Sequence, residues 1–181
     1  AALNHGGFFE QLRAAELKGT DLISQGLDRY FNFSLPENRE IAERYGINPR
    51  GPVAAGTSAG EQAAVAAQAL KQGVAQCVTI SLANNLDTHD ESWAEDHPES
   101  LRAGFNALAT LIDDLEAASL MDKTTIVVFS EFGRTPLLNV RDGRDHSLSS
   151  CALLVGAGVP QNTVVGGTND VGLGPLPIDP V

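Results

Sequence analysis

Cysteine, positive charge and long apolar runs are all scarce in this sequence, and each shortage excludes a class of protein. Only two cysteines occur in 181 residues, Cys77 and Cys151. Two thiols so far apart make neither a disulfide framework nor a zinc knuckle. Each lies in an apolar strand-like run, "AQCVTISL" and "SCALLVGAG", and is expected as a buried small hydrophobe. A bond between neighbouring strands is the alternative, which nothing in the spacing favours. Twelve basic residues stand against twenty-three acidic ones, a net charge of −11. That balance argues against a nucleic-acid backbone or an anionic membrane as partner. It suits a protein that holds cations. No apolar run approaches the ~20 residues of a membrane span. The opening "AALNHGGFFEQLRAAELKG" lacks both the basic start and the long apolar centre of a secretory leader. It is not a translation start either, and the end "GPLPIDPV" is abrupt, so a processed chain or a fragment is expected. A glycine-rich phosphate loop after the first clear strand is missing, which weakens a nucleotide-binding reading.

What is present points to a globular chain. Apolar residues make up 43%, enough for one sizeable core and one domain with a small appendage. Residues 1–56 read as a helical segment, an insertion or a middle section. "GGFFEQLRAAEL" and "TDLISQGLDRYFNF" have roughly helical apolar spacing. "SLPENREIAERYGI" follows, with a cap at Ser34, Pro36 in the first turn and a stop at Gly46. "NPRGPVAAG" reads as a linker.

From residue 57 the pattern tightens into an expected α/β domain that runs to 181. Ser58 and Glu61 have capping-box spacing ahead of an alanine-rich helix, and Gly73 is placed to end it. "VAQCVTISL" (74–82) reads as a strand buried on both faces. A polar loop follows, and Pro98 opens a helix whose Leu101, Phe105, Leu108, Ile112 and Leu115 form one apolar face. "TTIVVF" (124–129) and "CALLVGAG" (151–158) complete the strands. Strand, long helix and strand predict a right-handed crossover, hence a mostly parallel sheet with flanking helices. Ligands of such folds bind beyond the carboxyl ends of the strands.

Three loops expected near that edge carry the chemistry. In "LDTHD", Asp87 and His89 are two apart, so an extended backbone points both the same way. In "SEFGR", Glu131 is the first charge after a strand, Gly133 permits a positive φ or a close backbone approach, and Arg134 is shaped to clamp an oxyanion. Its bland alternative is a Glu131–Arg134 surface pair. In "RDGRDHS", Asp145 and His146 are adjacent, so one is expected to ligate while the other orients a neighbour, or each to face a different metal; taken alone, the segment reads as a charged surface turn around Gly143. Two imidazoles and three carboxylates suffice for one or two divalent cations. Zinc is the first choice, with manganese, iron or calcium as alternatives. His97, beside a helix start, reads as a capping or packing residue.

"DTH", "SEFGRTP" and "GRDH", in that order, resemble an exported bacterial family called domain of unknown function 1501. More broadly they resemble the alkaline phosphatase/sulfatase superfamily. The likeness covers about residues 57–181. It implies an alkaline-phosphatase-like fold, here lacking parts at both ends, with Asp87, His89, Glu131 and His146 as metal ligands; Asp145 joins the expected set from its place beside His146. Phe132 replaces a usual strand-end histidine or asparagine, and Ser147 a frequent tryptophan. The implied activity is metal-dependent hydrolysis of a small phosphate or sulfate ester, with Arg134 and Arg144 neutralising oxyanion charge. No segment here resembles the superfamily's nucleophile, so that group is expected from another segment, another chain or water. The resemblance also implies export to the periplasm. The alternative is a non-catalytic exported binding or assembly protein that keeps the fold.

Overall fold

The capping box at Ser58 forms as the spacing requires. In the computed structural model, which describes residues 10, 13–14, 31–48, 58–171 and 173–177, the Ser58 hydroxyl accepts from the Glu61 amide at 3.2 Å. The Glu61 carboxylate accepts from the Ser58 amide at 2.8 Å. Two donors that a helix start leaves unpaired are thereby satisfied. The helical readings over 1–30 and the linker at 48–56 fall largely outside the described residues.

The chain divides into two units, residues 1–83 with 102–118 and residues 84–101 with 119–181. In the first, a 3-10 turn (Pro36–Asn38) leads into α1 (Arg39–Arg44). Leu35, not Ser34, caps that turn. Gly46, at φ +63°, ends α1 as expected, with the Ile47 amide reaching back to the Ala42 carbonyl at 2.8 Å. The alanine-rich α2 (Ala59–Lys71) follows, and its stop at Gly73 (φ +66°) is the left-handed cap the sequence suggests.

Helix α3 (Trp93–Ala117) begins five residues before the expected start at Pro98. Asp90 explains the difference. Its Oδ1 accepts from the Ser92 amide at 3.1 Å and its carbonyl from the Trp93 amide at 3.1 Å, so the turn is capped ahead of the proline. The part of α3 from Arg102 on belongs to the first unit. Its buried stripe is Gly104, Ala107, Leu108, Leu111, Asp114 and Leu115, whereas Phe105 is exposed. Gly104 shifts the stripe because it lets backbone in. A Cβ there would lie 2.2 Å from the Leu82 carbonyl oxygen. Asp114 is the stripe's polar member. It accepts from the Tyr45 hydroxyl at 3.0 Å and pairs with Arg44, so its buried charge is compensated.

The mostly parallel α/β sheet is not what forms. Among the described residues the strands make two small antiparallel sheets, β1 (Thr125–Phe129) with β4 (Ala152–Gly156), and β2 (Gly133–Arg134) with β3 (His146–Ser147). The run 74–82 joins no ladder, and Cys77 and Val78 within it are exposed. The expected crossover therefore does not exist. Apolar content marked 74–82 as a strand, but a strand also needs a neighbour to take its amides and carbonyls.

What replaces it is one long hairpin in the second unit. Thr125 lies opposite Gly156 and Phe129 opposite Ala152 in one ladder, and Gly133 opposite Ser147 and Arg134 opposite His146 in the next. The register shifts by a single residue between the two ladders. Residues 125–135 and 145–156 are thus the two arms, closed by a tip over 136–144. Pairing across a short tip costs less chain entropy than a distant parallel partner. One face of this ribbon is open, with Val127 at 53%, Phe129 at 75% and Leu154 at 50% exposure. Both cysteines are free and exposed rather than buried. No helix among the described residues is long and apolar enough to cross a membrane.

Candidate metal centre

The two motifs "SEFGRTP" and "GRDHS" face each other because they are opposite arms of the hairpin. Arg134 and His146 are direct register partners. The glycine of "SEFGR" is needed for close approach, not for a positive φ. A Cβ on Gly133 would stand 2.2 Å from the Ser149 carbonyl oxygen.

The hairpin tip then clasps the "DTH" loop. Asn139 organises the tip. Its side-chain oxygen accepts from the amides of Arg141 (2.8 Å) and Gly143 (3.1 Å). Its amide group donates to the His89 carbonyl at 3.0 Å and to Asp145 Oδ1 at 2.9 Å. Gly143 is buried against the other strand of this clasp, where a Cβ would sit 2.1 Å from both the Asp90 nitrogen and the His89 carbonyl carbon. On its inner side the loop is held by Thr88. Its buried hydroxyl lies 3.0 Å from His97 Nδ1 on the first turns of α3. Burial first, and the Arg134 charge second, push His97 below its ordinary value.

Asp87, His89 and His146 come together, with one ligand atom from each within 4.8 Å of the others. Asp87 Oδ1 is the centre, 3.1 Å from His89 Nδ1, 3.3 Å from His146 Nε2 and 3.2 Å from Arg134 Nη2. The hydrogen bond from His146, then that from Arg134, hold this carboxyl below the usual carboxylate range. Both imidazoles are ring-packed. His146 stacks on Phe132 with centroids 4.0 Å apart, and His89 lies 4.8 Å from His146 at a tilt. Phe132 therefore sets the orientation of the His146 ring.

The other candidates take different places. Glu131 is exposed and outside the cluster. It does not pair with Arg134, whose carboxylate partner is Asp87. Asp145 turns to Asn139. Arg144 is committed to the tip, where Nη1 donates to the carbonyls of Thr135 (2.8 Å) and Pro136 (2.6 Å) and the guanidinium lies 4.3 Å from the Trp93 ring centroid. Arg134 remains at the cluster, only 14% exposed, above Phe132. Sequence reading missed Asn139 and Trp93. An asparagine four residues before a glycine in a polar loop was the available signal for the first; nothing local marks Trp93.

Two imidazoles and one carboxylate thus converge, with Asp87 Oδ1 at 3.1 and 3.3 Å from the ring nitrogens and the whole set within 4.8 Å. Over residues 25–177 the chain matches the family described as protein of unknown function (DUF1501), and it belongs to that family. No curated protein and no solved structure matches it.

Proposed function

We propose that Asp87, His89 and His146 hold a divalent cation, zinc before manganese, iron or calcium, and that the site serves hydrolysis of a phosphate or sulfate ester. The convergence of these three side chains, from loops 59 residues apart in sequence at Asp87 and His146, carries the reading. The resemblance of "DTH", "SEFGRTP" and "GRDH" to the alkaline phosphatase/sulfatase superfamily supports the choice of reaction. A bound cation would polarise an ester oxygen and offset charge on the leaving group. The chain's own residues present the ligands. Asn139 and Gly143 lock the His89 backbone to the tip, Phe132 holds the His146 ring, and Arg134 brings positive charge. Arg144 serves the loop rather than the substrate in this reading, because carbonyls and Trp93 already engage it. Thr88 is not the nucleophile, since its hydroxyl is buried against His97. The attacking group is water or a residue elsewhere. Export to the periplasm belongs to the same proposal and rests on the motif resemblance.

A second reading is a non-catalytic exported binding or assembly protein. It is favoured by the thin ligand shell, with Glu131 and Asp145 outside the cluster. Elemental analysis after zinc loading and dialysis tests the site. About one equivalent is expected in the parent chain and loss of it in His89→Ala and His146→Ala. If both variants keep their metal, the ligand assignment is wrong. Hydrolysis of aryl phosphate or sulfate by the loaded chain then separates the two readings, and metal without turnover leaves the binding protein.

A further inference from the structure

Arg134 occupies the position that a metal would contest. Its Nη1 donates to the Arg144 carbonyl at 2.9 Å and its Nη2 to the Leu86 carbonyl at 2.6 Å. The same two nitrogens reach the cluster, Nη1 at 3.2 Å from His89 Nε2 and Nη2 at 3.2 Å from Asp87 Oδ1. A guanidinium has donors and no acceptor. Its contact with His89 Nε2 is therefore a hydrogen bond only if that nitrogen carries the lone pair. The imidazole proton then resides on Nδ1, where it is donated to Asp87 Oδ1 at 3.1 Å.

This arrangement closes both nitrogens of His89 to a cation. Nε2 is taken by Arg134, and Nδ1 carries the proton. Moving the proton to Nε2 would free Nδ1, but it would set two donors against each other at 3.2 Å. Asp87 Oδ1 is likewise shared among Arg134, His89 and His146. Metal ligation by His89 and the Arg134–His89 bond are mutually exclusive.

We infer that Arg134 is an internal cation that competes with the metal, holding the Asp87–His89 pair together in the metal-free chain and leaving it when the cation enters. This rests on the metal reading above and adds a prediction opposite in sign to the usual one. A residue that merely supports a ligand lowers metal affinity by roughly 10–100-fold when it is removed. A competitor raises affinity when removed, here by about tenfold, the order of effect of one opposite charge paired with a carboxylate.

The test is zinc affinity of the whole chain, by competition with a chromophoric chelator, for the parent and for Arg134→Gln. Tighter binding by the variant supports competition. Unchanged or weaker binding overturns it while the metal reading stands. If neither chain binds zinc, both fall together. A measurement on the parent chain alone guards against a variant that fails to fold. Nitrogen NMR of the imidazoles should place the His89 proton on Nδ1 without zinc and remove it from that atom with zinc. A proton on Nε2 in the metal-free chain overturns the inference.

Discussion

Gly143→Ala is the sharpest single perturbation of the site, because it adds one methyl group and meets backbone only, no ligand side chain. The Cβ would sit 2.1 Å from the Asp90 nitrogen and from the His89 carbonyl carbon, and 2.5 Å from the His89 carbonyl oxygen. Ordinary contact begins at 3.4 Å, so the hairpin tip and the "DTH" loop must part by 3.4 − 2.1 = 1.3 Å. All three obstructing atoms are backbone, so no rotamer change relieves the clash. A shift of that size carries the 3.0 Å bond from Asn139 to the His89 carbonyl past hydrogen-bond range. Overpacking of this kind costs about 1–3 kcal/mol, which at about 2–4 °C per kcal/mol lowers the melting temperature by roughly 2–12 °C. Moving His89 relative to His146 should also weaken zinc binding by tenfold or more, roughly 1.4 kcal/mol. Thermal unfolding by circular dichroism and a zinc titration measure the two effects. Gly167→Ala is the control. Its nearest heavy atom would be Leu176 Cδ1 at 3.8 Å, and no loss of stability or affinity is expected. A Gly143→Ala chain that melts and binds zinc like the control would refute the clasp.

Three further outcomes are expected. Asp114→Ala removes a buried acceptor from the Tyr45 hydroxyl and a partner from Arg44. Denaturant unfolding should show a loss of about 2–4 kcal/mol, and a loss below about 0.5 kcal/mol would contradict the compensation described for that stripe. Tyr45 is pushed up to about 12, chiefly by burial, with Arg44 opposing and Asp113 adding. Ultraviolet titration should show one tyrosine ionising that high, lost in Tyr45→Phe, whereas ordinary ionisation near 10 in the folded chain would refute its burial. His97 binds its proton less readily folded than unfolded, from burial and then Arg134. Its contribution is thus complete above its ordinary value and lost as pH falls through the depressed one. The melting temperature of the parent should fall more steeply between about pH 7 and 5 than that of His97→Gln, and equal slopes would count against the burial of His97 beside the Arg134 charge.

Local signals in the chain were readable because their physics is local. The Ser58–Glu61 box, the left-handed stops at Gly46 and Gly73, and the extents of β1 and β4 each depend on a few neighbouring residues. The same holds for the Asp87–His89 pair, whose spacing alone aims both side chains to one side. The start of α3 was misplaced because Pro98 is a louder signal than Asp90, although the aspartate makes the cap. Glu131 illustrates the limit for sites. Its place after a strand marked it as a ligand, but the arms of the hairpin bring its neighbours Phe132 and Arg134 to the cluster instead.

By itself, then, the sequence determined where β1 and β4 run, where α2 begins with a capping box, and where α1 and α2 end on glycine. Strand direction was decided only in three dimensions. An apolar run states that a strand is buried or wants to be, but not which strand takes its hydrogen bonds, and 125–135 found its partner across a short tip rather than at 74–82. The contacts that make the cluster are equally tertiary. Arg134 reaching His89 Nε2, Asn139 tying the tip to the His89 carbonyl, and Gly143 admitting the loop backbone join residues about 45, 50 and 54 positions apart in the chain. No spacing rule links them, because their separation was set by how the chain folds back on itself.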